Sequence, residues 1–212
     1  MILITWHESI PQESNILNMM FSQGLRVLHV RKPGLSDTEL YDYLQEINPD
    51  YHCRIMLHQG YGLLEKFGCK GLHFPERNKQ LFWKYAGLPI TKSWAVHSIQ
   101  ELDSVPDEVD YILLSPVFPS ISKKEYRNTW PDGEPMGYLK EKKSTLFQHI
   151  ALGGIDCHTA PKAMEMGFDG IAVMGAIWEP VLRGDDYQQT LKCLLQFESI
   201  LEKDQNSKQN HI

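Results

Sequence analysis

The sequence contains no apolar run of 18 residues. A membrane-spanning helix needs about 20, so none is expected and no membrane partner is expected. It has only four cysteines, Cys53, Cys69, Cys157 and Cys193, and no C-x-x-C pair. That spacing excludes a disulfide framework and a structural cysteine zinc site, and reads as reduced thiols. The first residues, Met1-Ile2-Leu3-Ile4-Thr5-Trp6-His7, carry no basic stretch and no A-x-A site. No secretory leader is therefore expected, and the expected location is cytoplasmic. Basic residues are in deficit: the formal net charge is -6. This argues against a nucleic-acid partner while leaving room for a local basic pocket. No Pro/Gly/Ser-rich linker divides the chain. The expectation is one domain over residues 1–204 with a frayed polar tail over 205–212.

What is present is an ordinary globular composition, 42% hydrophobic and 23% charged over 212 residues. A chain of this size buries roughly 70% of its unfolded surface without staples. Eight short β-rich runs stand out: Ile2–Thr5, Arg26–Val30, Arg54–Leu57, Gly71–Phe74, Ser93–His97, Tyr111–Ser115, His149–Gly153 and Ile171–Met174. The first begins at 2 and the last at 171, so the seven steps average about 24 residues, each the length of a strand, a loop and a helix. Between the runs lie helix signals. Ser36-Asp37-Thr38-Glu39 has the form of a capping box before Leu40, Leu44 and Ile47. Leu63, Leu64 and Phe67 lead to Gly68, and Ala163, Met164 and Met166 lead to Gly167, each a C-terminal glycine. Tyr187–Leu201 reads as a closing helix. Gly68-Cys69-Lys70-Gly71-Leu72-His73 is echoed by Gly167-Phe168-Asp169-Gly170-Ile171-Ala172 half a chain later. The fold class is α/β, a single (β/α)8 TIM barrel of parallel strands, with a doubly wound open sheet as the rival. The turn-rich Asn128–Pro135 stretch is an elaborated loop inside it. Self-association as a homo-oligomer is left open, since a pairing face looks like any amphipathic helix.

In such a barrel the chemistry lies at the C-terminal ends of the strands, with phosphate held after strands 7 and 8. Strand 7 ends in Ala151-Leu152-Gly153-Gly154-Ile155 and strand 8 in Val173-Met174-Gly175. Those glycines suit a backbone cradle for phosphate. Strand 6 runs into Ser115-Pro116-Val117-Phe118-Pro119-Ser120-Ile121-Ser122-Lys123-Lys124. Hydroxyls and a lysine on a proline-stiffened loop suit an anion such as pyrophosphate. Strand 2 ends in His29-Val30-Arg31-Lys32-Pro33, where alternation puts His29 and Arg31 on one face. His58, His73 and His97 end three neighbouring strands. A zinc site among them is conceivable, although acid–base work by a neutral His97 fits better.

From the first strand to Trp178 the chain resembles the thiamine phosphate synthase / thiazole tautomerase family. The stretches that carry the resemblance are Leu28–Pro33, Gly71–Phe74, Ala95–Ser98, Asp110–Lys123, Ala151–Ile155 and Gly167–Met174. The resemblance implies a (β/α)8 barrel in thiamine biosynthesis. A synthase couples hydroxymethylpyrimidine pyrophosphate to thiazole phosphate, releasing pyrophosphate with the help of Mg2+. A tautomerase instead shifts a proton on a carboxythiazole phosphate without metal, and a non-catalytic phosphate-binding barrel is the third reading. The implied partners are these small-molecule phosphates. The resemblance gives Gly153, Gly154, Met174 and Gly175 to the thiazole-phosphate cradle, and Ser120, Ser122 and Lys123 to the loop on pyrophosphate and thiazole. Arg31 takes the place of a pyrophosphate-binding arginine, with His29 and Lys32 beside it. The expected catalytic residues are Lys123, His97 and Arg31. His97 matches the active-site histidine of the tautomerases, but synthases carry a histidine there too.

The departures fall on the metal. Where synthases carry Gln-x-Arg-Glu-Lys on strand 2, this chain has His29 through Pro33, and Lys32 is the substitute for the missing lysine. The Asn-Asp after strand 3 becomes Leu57 and His58, the second magnesium aspartate aligns with Asn78, and a pyrimidine-contacting serine becomes Ala95. Magnesium needs hard oxygen ligands. Glu76, two residues before Asn78, is the carboxylate expected to replace them, and Glu76 and Asn78 are the expected metal residues.

Overall fold

The structure, a computed structural model, describes residues 1–119, 134–141, 146–185 and 187–209. Eight strands form a closed, all-parallel barrel in chain order: β1 (Ile2–Ile4), β2 (Val27–Val30), β3 (Ile55–Leu57), β4 (Gly71–Phe74), β5 (Thr91–Val96), β6 (Tyr111–Leu114), β7 (Gln148–Leu152) and β8 (Gly170–Val173). Closure is the pairing of β1 with both β2 and β8, for example Leu3 with Leu28 and with Val173. Each strand expected from the sequence is there, within about two residues at either end. The open sheet is excluded because β1 and β8 are hydrogen-bonded neighbours.

The helices are α1 (Glu13–Ser22), α2 (Asp37–Gln45), α3 (Leu64–Phe67), α4 (Phe82–Tyr85), α5 (Glu134–Glu141), α6 (Ala160–Glu165), α7 (Gly175–Leu182) and α8 (Tyr187–Gln209). α2 starts in the expected capping box. The Ser36 hydroxyl accepts the Glu39 N–H, and the Glu39 carboxylate accepts the Ser36 N–H. α3 ends at Gly68 and α6 just before Gly167, as the glycine signals imply. α8 continues to Gln209, into the stretch expected to fray. Gln205, Lys208 and Gln209 in that stretch are favourable helix formers. No helix of the described residues is long and apolar enough to cross a membrane.

Strand alternation divides the barrel into two cores. Leu3, Leu28, Val30, Leu57, Leu72, Phe74, Val96, Ile112, Leu114, Ile171 and Val173 point outward and pack under the helices. Ile2, Ile4, Met56, Tyr111, Leu113, Ile150 and Ala172 point inward. The inward set is joined by His29, His73 and Ser93, all fully or almost fully buried.

Candidate active site

Two zones meet at the C-terminal end of this barrel. The first is the phosphate-type cleft after β7 and β8. It has a volume of about 160 Å³ and is lined by Gly153, Gly154, Asp156, Met174, Gly175 and Glu179 among others. Gly153 and Gly154 have φ of 92° and 64°, a region that L side chains rarely adopt. A Cβ on Gly154 would lie 2.7 Å from the carbonyl oxygens of Phe118 and Pro119. The paired glycines therefore let the β6 loop close on the end of β7. The Val117 N–H donates to the Leu152 carbonyl (2.9 Å) and the Phe118 N–H to the Gly153 carbonyl (3.1 Å). The turn beyond is tied by Asp156, whose carboxylate accepts the N–H groups of His158 and Thr159, each at 2.8 Å. Partial burial opposes the Asp156 charge, but these bonds outweigh it and hold its pKa below the ordinary value.

Gly175 opens α7, whose first N–H groups have no acceptor within the helix. Trp178 fixes that helix by donating its indole N–H to the Ile4 carbonyl at 2.8 Å. The cradle residues Gly153, Gly154, Met174 and Gly175 are thus brought together. One feature opposes an anion. A Cβ on Gly175 would stand 2.9 Å from Glu179 Oε1, so a carboxylate folds back to the same helix end.

The second zone lies inside the barrel beneath the ends of β2, β3 and β4. His29 Nδ1 is 2.9 Å from His58 Nε2. His29 Nε2 is 2.6 Å from the Tyr111 hydroxyl, and His73 Nδ1 is 2.9 Å from the Ser93 hydroxyl. The His58 and His73 rings lie with centroids 4.1 Å apart. Burial penalises the imidazolium form. It pushes His29 down to about 3. Burial first, then neighbouring histidine and arginine charges, holds His58 and His73 well below the usual range. All three are neutral at pH 7.

Arg31 stands two residues beyond His29, just past the C-terminal end of β2, and is exposed. Partial burial and the nearby charge of Arg77 depress its pKa. Both arginines also act on His58. Neither forms an ion pair with a carboxylate among the described residues. Both side chains are exposed, and guanidiniums without a carboxylate partner are suited to bind an anion. Arg77 was not singled out by sequence reasoning. The signal was its place just after β4, in the 3₁₀ segment Glu76–Leu81.

Several expectations are corrected. Lys32 is not at the mouth. It lies two residues past the end of β2 and is buried, where its ammonium donates to Glu13 Oε2 (2.5 Å) and to the Glu8 carbonyl (2.7 Å) beside α1. His29 is too deeply enclosed to meet a substrate directly, at 0% exposure. Glu76 and Asn78 do not make a metal pair. Glu76 is 68% exposed and bound to Lys79 at 2.6 Å, and the Asn78 side-chain amide donates to the His58 carbonyl at 3.2 Å. His97 sits in the exposed mouth with Nδ1 near the Ser115 carbonyl and hydroxyl, at 3.1 and 3.2 Å. It does not join His58 and His73. Ser93, the partner of His73 in the sheet, lies four residues before it. His29 takes that third place. Ser120, Ser122 and Lys123 lie outside the described residues.

A magnesium site does not fit the residues present. Among the described residues, the one group of three possible metal ligands is His29, His58 and His73. Imidazole nitrogen is a poor ligand for so hard a cation.

A family model described as thiamine monophosphate synthase matches residues 1–177. The thiamine-phosphate synthase of Chlamydia caviae is 26% identical over 189 residues, covering 83% of this chain and 85% of that one. The thiamine-phosphate synthase of Listeria welshimeri is 27% identical over 161 residues, 71% of this chain and 72% of that one. Among solved structures, a thiamine phosphate pyrophosphorylase from Bacteroides thetaiotaomicron superposes with a TM-score of 0.78 at 24% identity, covering 95% of this chain and 97% of that one. One from Pyrococcus furiosus gives 0.74 at 17% identity, with 96% and 95% covered. At such identities the structural likeness carries the barrel fold.

Proposed function

The chain belongs to the thiamine monophosphate synthase family, transferases that couple a pyrimidine pyrophosphate to a thiazole phosphate, and we propose that it performs this transfer. The thiazole phosphate rests in the cleft of Gly153, Gly154, Met174 and Gly175. The pyrimidine pyrophosphate lies across the mouth with its anionic end toward Arg31 and Arg77. The C–O bond to pyrophosphate breaks, the thiazole nitrogen forms the new C–N bond, and pyrophosphate leaves with the electron pair. Charge that develops on the leaving group is met by the two guanidiniums, which act most strongly where water is excluded. The Ser120, Ser122 and Lys123 loop adds donors to the same anion. What supports this reading is a glycine-built cleft after β7 and β8 together with two exposed arginines that have no carboxylate partner among the described residues, beyond the ends of β2 and β4.

A second reading is favoured by one feature: His58 and Asn78 stand where the synthases' magnesium carboxylates would be. A proton shift on a carboxythiazole phosphate needs no such metal, and His97 is exposed at the mouth to move a proton. A coupling assay separates the two. Purified protein receives thiazole phosphate and hydroxymethylpyrimidine pyrophosphate, with magnesium or with a chelator. Thiamine phosphate is read as its fluorescent oxidation product. Product formation is expected. Absence of product in a protein that still binds thiazole phosphate overturns the transfer and leaves the isomerase.

A further inference from the structure

We propose that His29, His58 and His73 bind a single first-row divalent transition-metal ion, zinc foremost, inside the barrel. The three residues come from separate strands, and one ring nitrogen from each lies within 4.8 Å of the others. A zinc ion with Zn–N bonds of about 2.0–2.1 Å separates its ligand nitrogens by roughly 3.3 Å at the tetrahedral angle. His29 Nδ1 and His58 Nε2 are already 2.9 Å apart. They need only part by a few tenths of an ångström, trading one hydrogen bond for two metal bonds.

The outer hydrogen bonds fit the same arrangement. A metal-bound histidine normally donates its other ring N–H to an acceptor, which fixes tautomer and orientation. With His29 Nδ1 on the metal, its Nε2–H points at the Tyr111 oxygen, 2.6 Å away. With Nδ1–H of His73 donated to Ser93, 2.9 Å away, Nε2 is its unprotonated nitrogen. Three histidines with no protein carboxylate leave a fourth position for an oxygen ligand, the pattern of an open rather than a closed site. Arg31 and Arg77 lie near enough to act electrostatically on His58. The two arginines weaken the site for a bare cation and favour it when an anion completes the shell. The ligand set is nitrogen alone, so it selects zinc, cobalt or nickel over magnesium.

The test is direct metal binding by the full chain. Chelator-stripped protein is titrated calorimetrically with Zn2+, Co2+ and Mg2+, with and without inorganic pyrophosphate. One equivalent of zinc or cobalt is expected, with a visible tetrahedral cobalt band and no displacement by millimolar magnesium. Pyrophosphate is expected to tighten it. His58→Asn should abolish the equivalent. Tyr111→Phe and Ser93→Ala should each weaken it by about 10–100-fold, as outer-shell substitutions do. The exposed-site control His158→Ala should leave it unchanged. If His58→Asn fails to fold, the wild-type melting temperature still reports, because zinc must raise it in a concentration-dependent way. Absence of a stoichiometric equivalent in wild type overturns the proposal. So does binding that Tyr111→Phe and Ser93→Ala leave unaltered. Because the readout is binding rather than turnover, failure here leaves the transfer reading standing, and the reverse also holds.

Discussion

The Tyr111 hydroxyl lies 2.6 Å from His29 Nε2, joining β6 to β2 across the barrel interior. Both groups are buried; Tyr111 also bonds the Ser93 side chain, whereas His29 Nε2 has the Tyr111 hydroxyl as its partner. Tyr111→Phe keeps the ring and leaves His29 Nε2 without its hydrogen bond. An unsatisfied buried group costs about 1–3 kcal/mol, and chemical denaturation should show a loss of that size in metal-free protein. An unchanged midpoint would mean that water replaces the hydroxyl.

The ion pair between Lys32 and Glu13 makes a different case. Its two side chains are 1% and 3% exposed. Lys32→Met strands a buried carboxylate and should destabilise by about 3–5 kcal/mol. Lys32→Met combined with Glu13→Leu removes both charges and should recover most of that loss. The KM for the pyrimidine pyrophosphate should be unchanged in the double variant. A raised KM there would restore Lys32 to the substrate.

Arg77 supplies a further check on the mouth. Arg77→Ala should raise the KM for the pyrimidine pyrophosphate roughly 10–100-fold, the range of a charge-assisted hydrogen bond of about 1.5–3 kcal/mol. The KM for thiazole phosphate should move little, because the cleft proposed for that ligand is built on β7 and β8. Equal effects on both substrates would indicate general damage to the barrel end.

Glu179 folds its carboxylate toward Gly175 at the start of α7. A carboxylate favours that helix end for the same reason that a phosphate does, so the two compete. Glu179→Gln removes the charge and keeps the shape. Thiazole phosphate should bind severalfold more tightly, consistent with the ~1 kcal/mol scale of solvent-exposed charge interactions. Isothermal titration decides, and weaker binding would show that Glu179 holds the cleft open.

Asp156 gives the cleft a pH dependence. Its folded pKa is lowered, so the unfolded chain binds more protons in the interval between the folded and unfolded values. Stability therefore rises with pH through that interval, is fully present above the unfolded pKa, and is lost as pH falls through the folded one. Phosphate affinity should decline over the same acidic range as the β7 turn loosens. Asp156→Asn should flatten that part of the profile, read by titrating inorganic phosphate at successive pH values.

Much of this was determined by local sequence. The eight β-rich runs, the Ser36–Glu39 capping box and the helix-ending glycines each act within a few residues, through dihedral preference and side-chain-to-backbone bonding. They imposed a strand-and-helix alternation that permits few topologies. The tight turn at Gly153 and Gly154 was legible because tolerance of positive φ is a property of glycine itself. Tertiary structure decided which polar groups meet. Alternation sends His29 inward, yet it does not say that Lys32, just past the strand, meets Glu13 of α1. The stagger of neighbouring strands set His29, not His97, beside His58 and His73, and brought Tyr111 from the other side of the barrel. Those meetings depend on closure, which joins residues as far apart in sequence as 29 and 111, and no local pattern encodes such a distance.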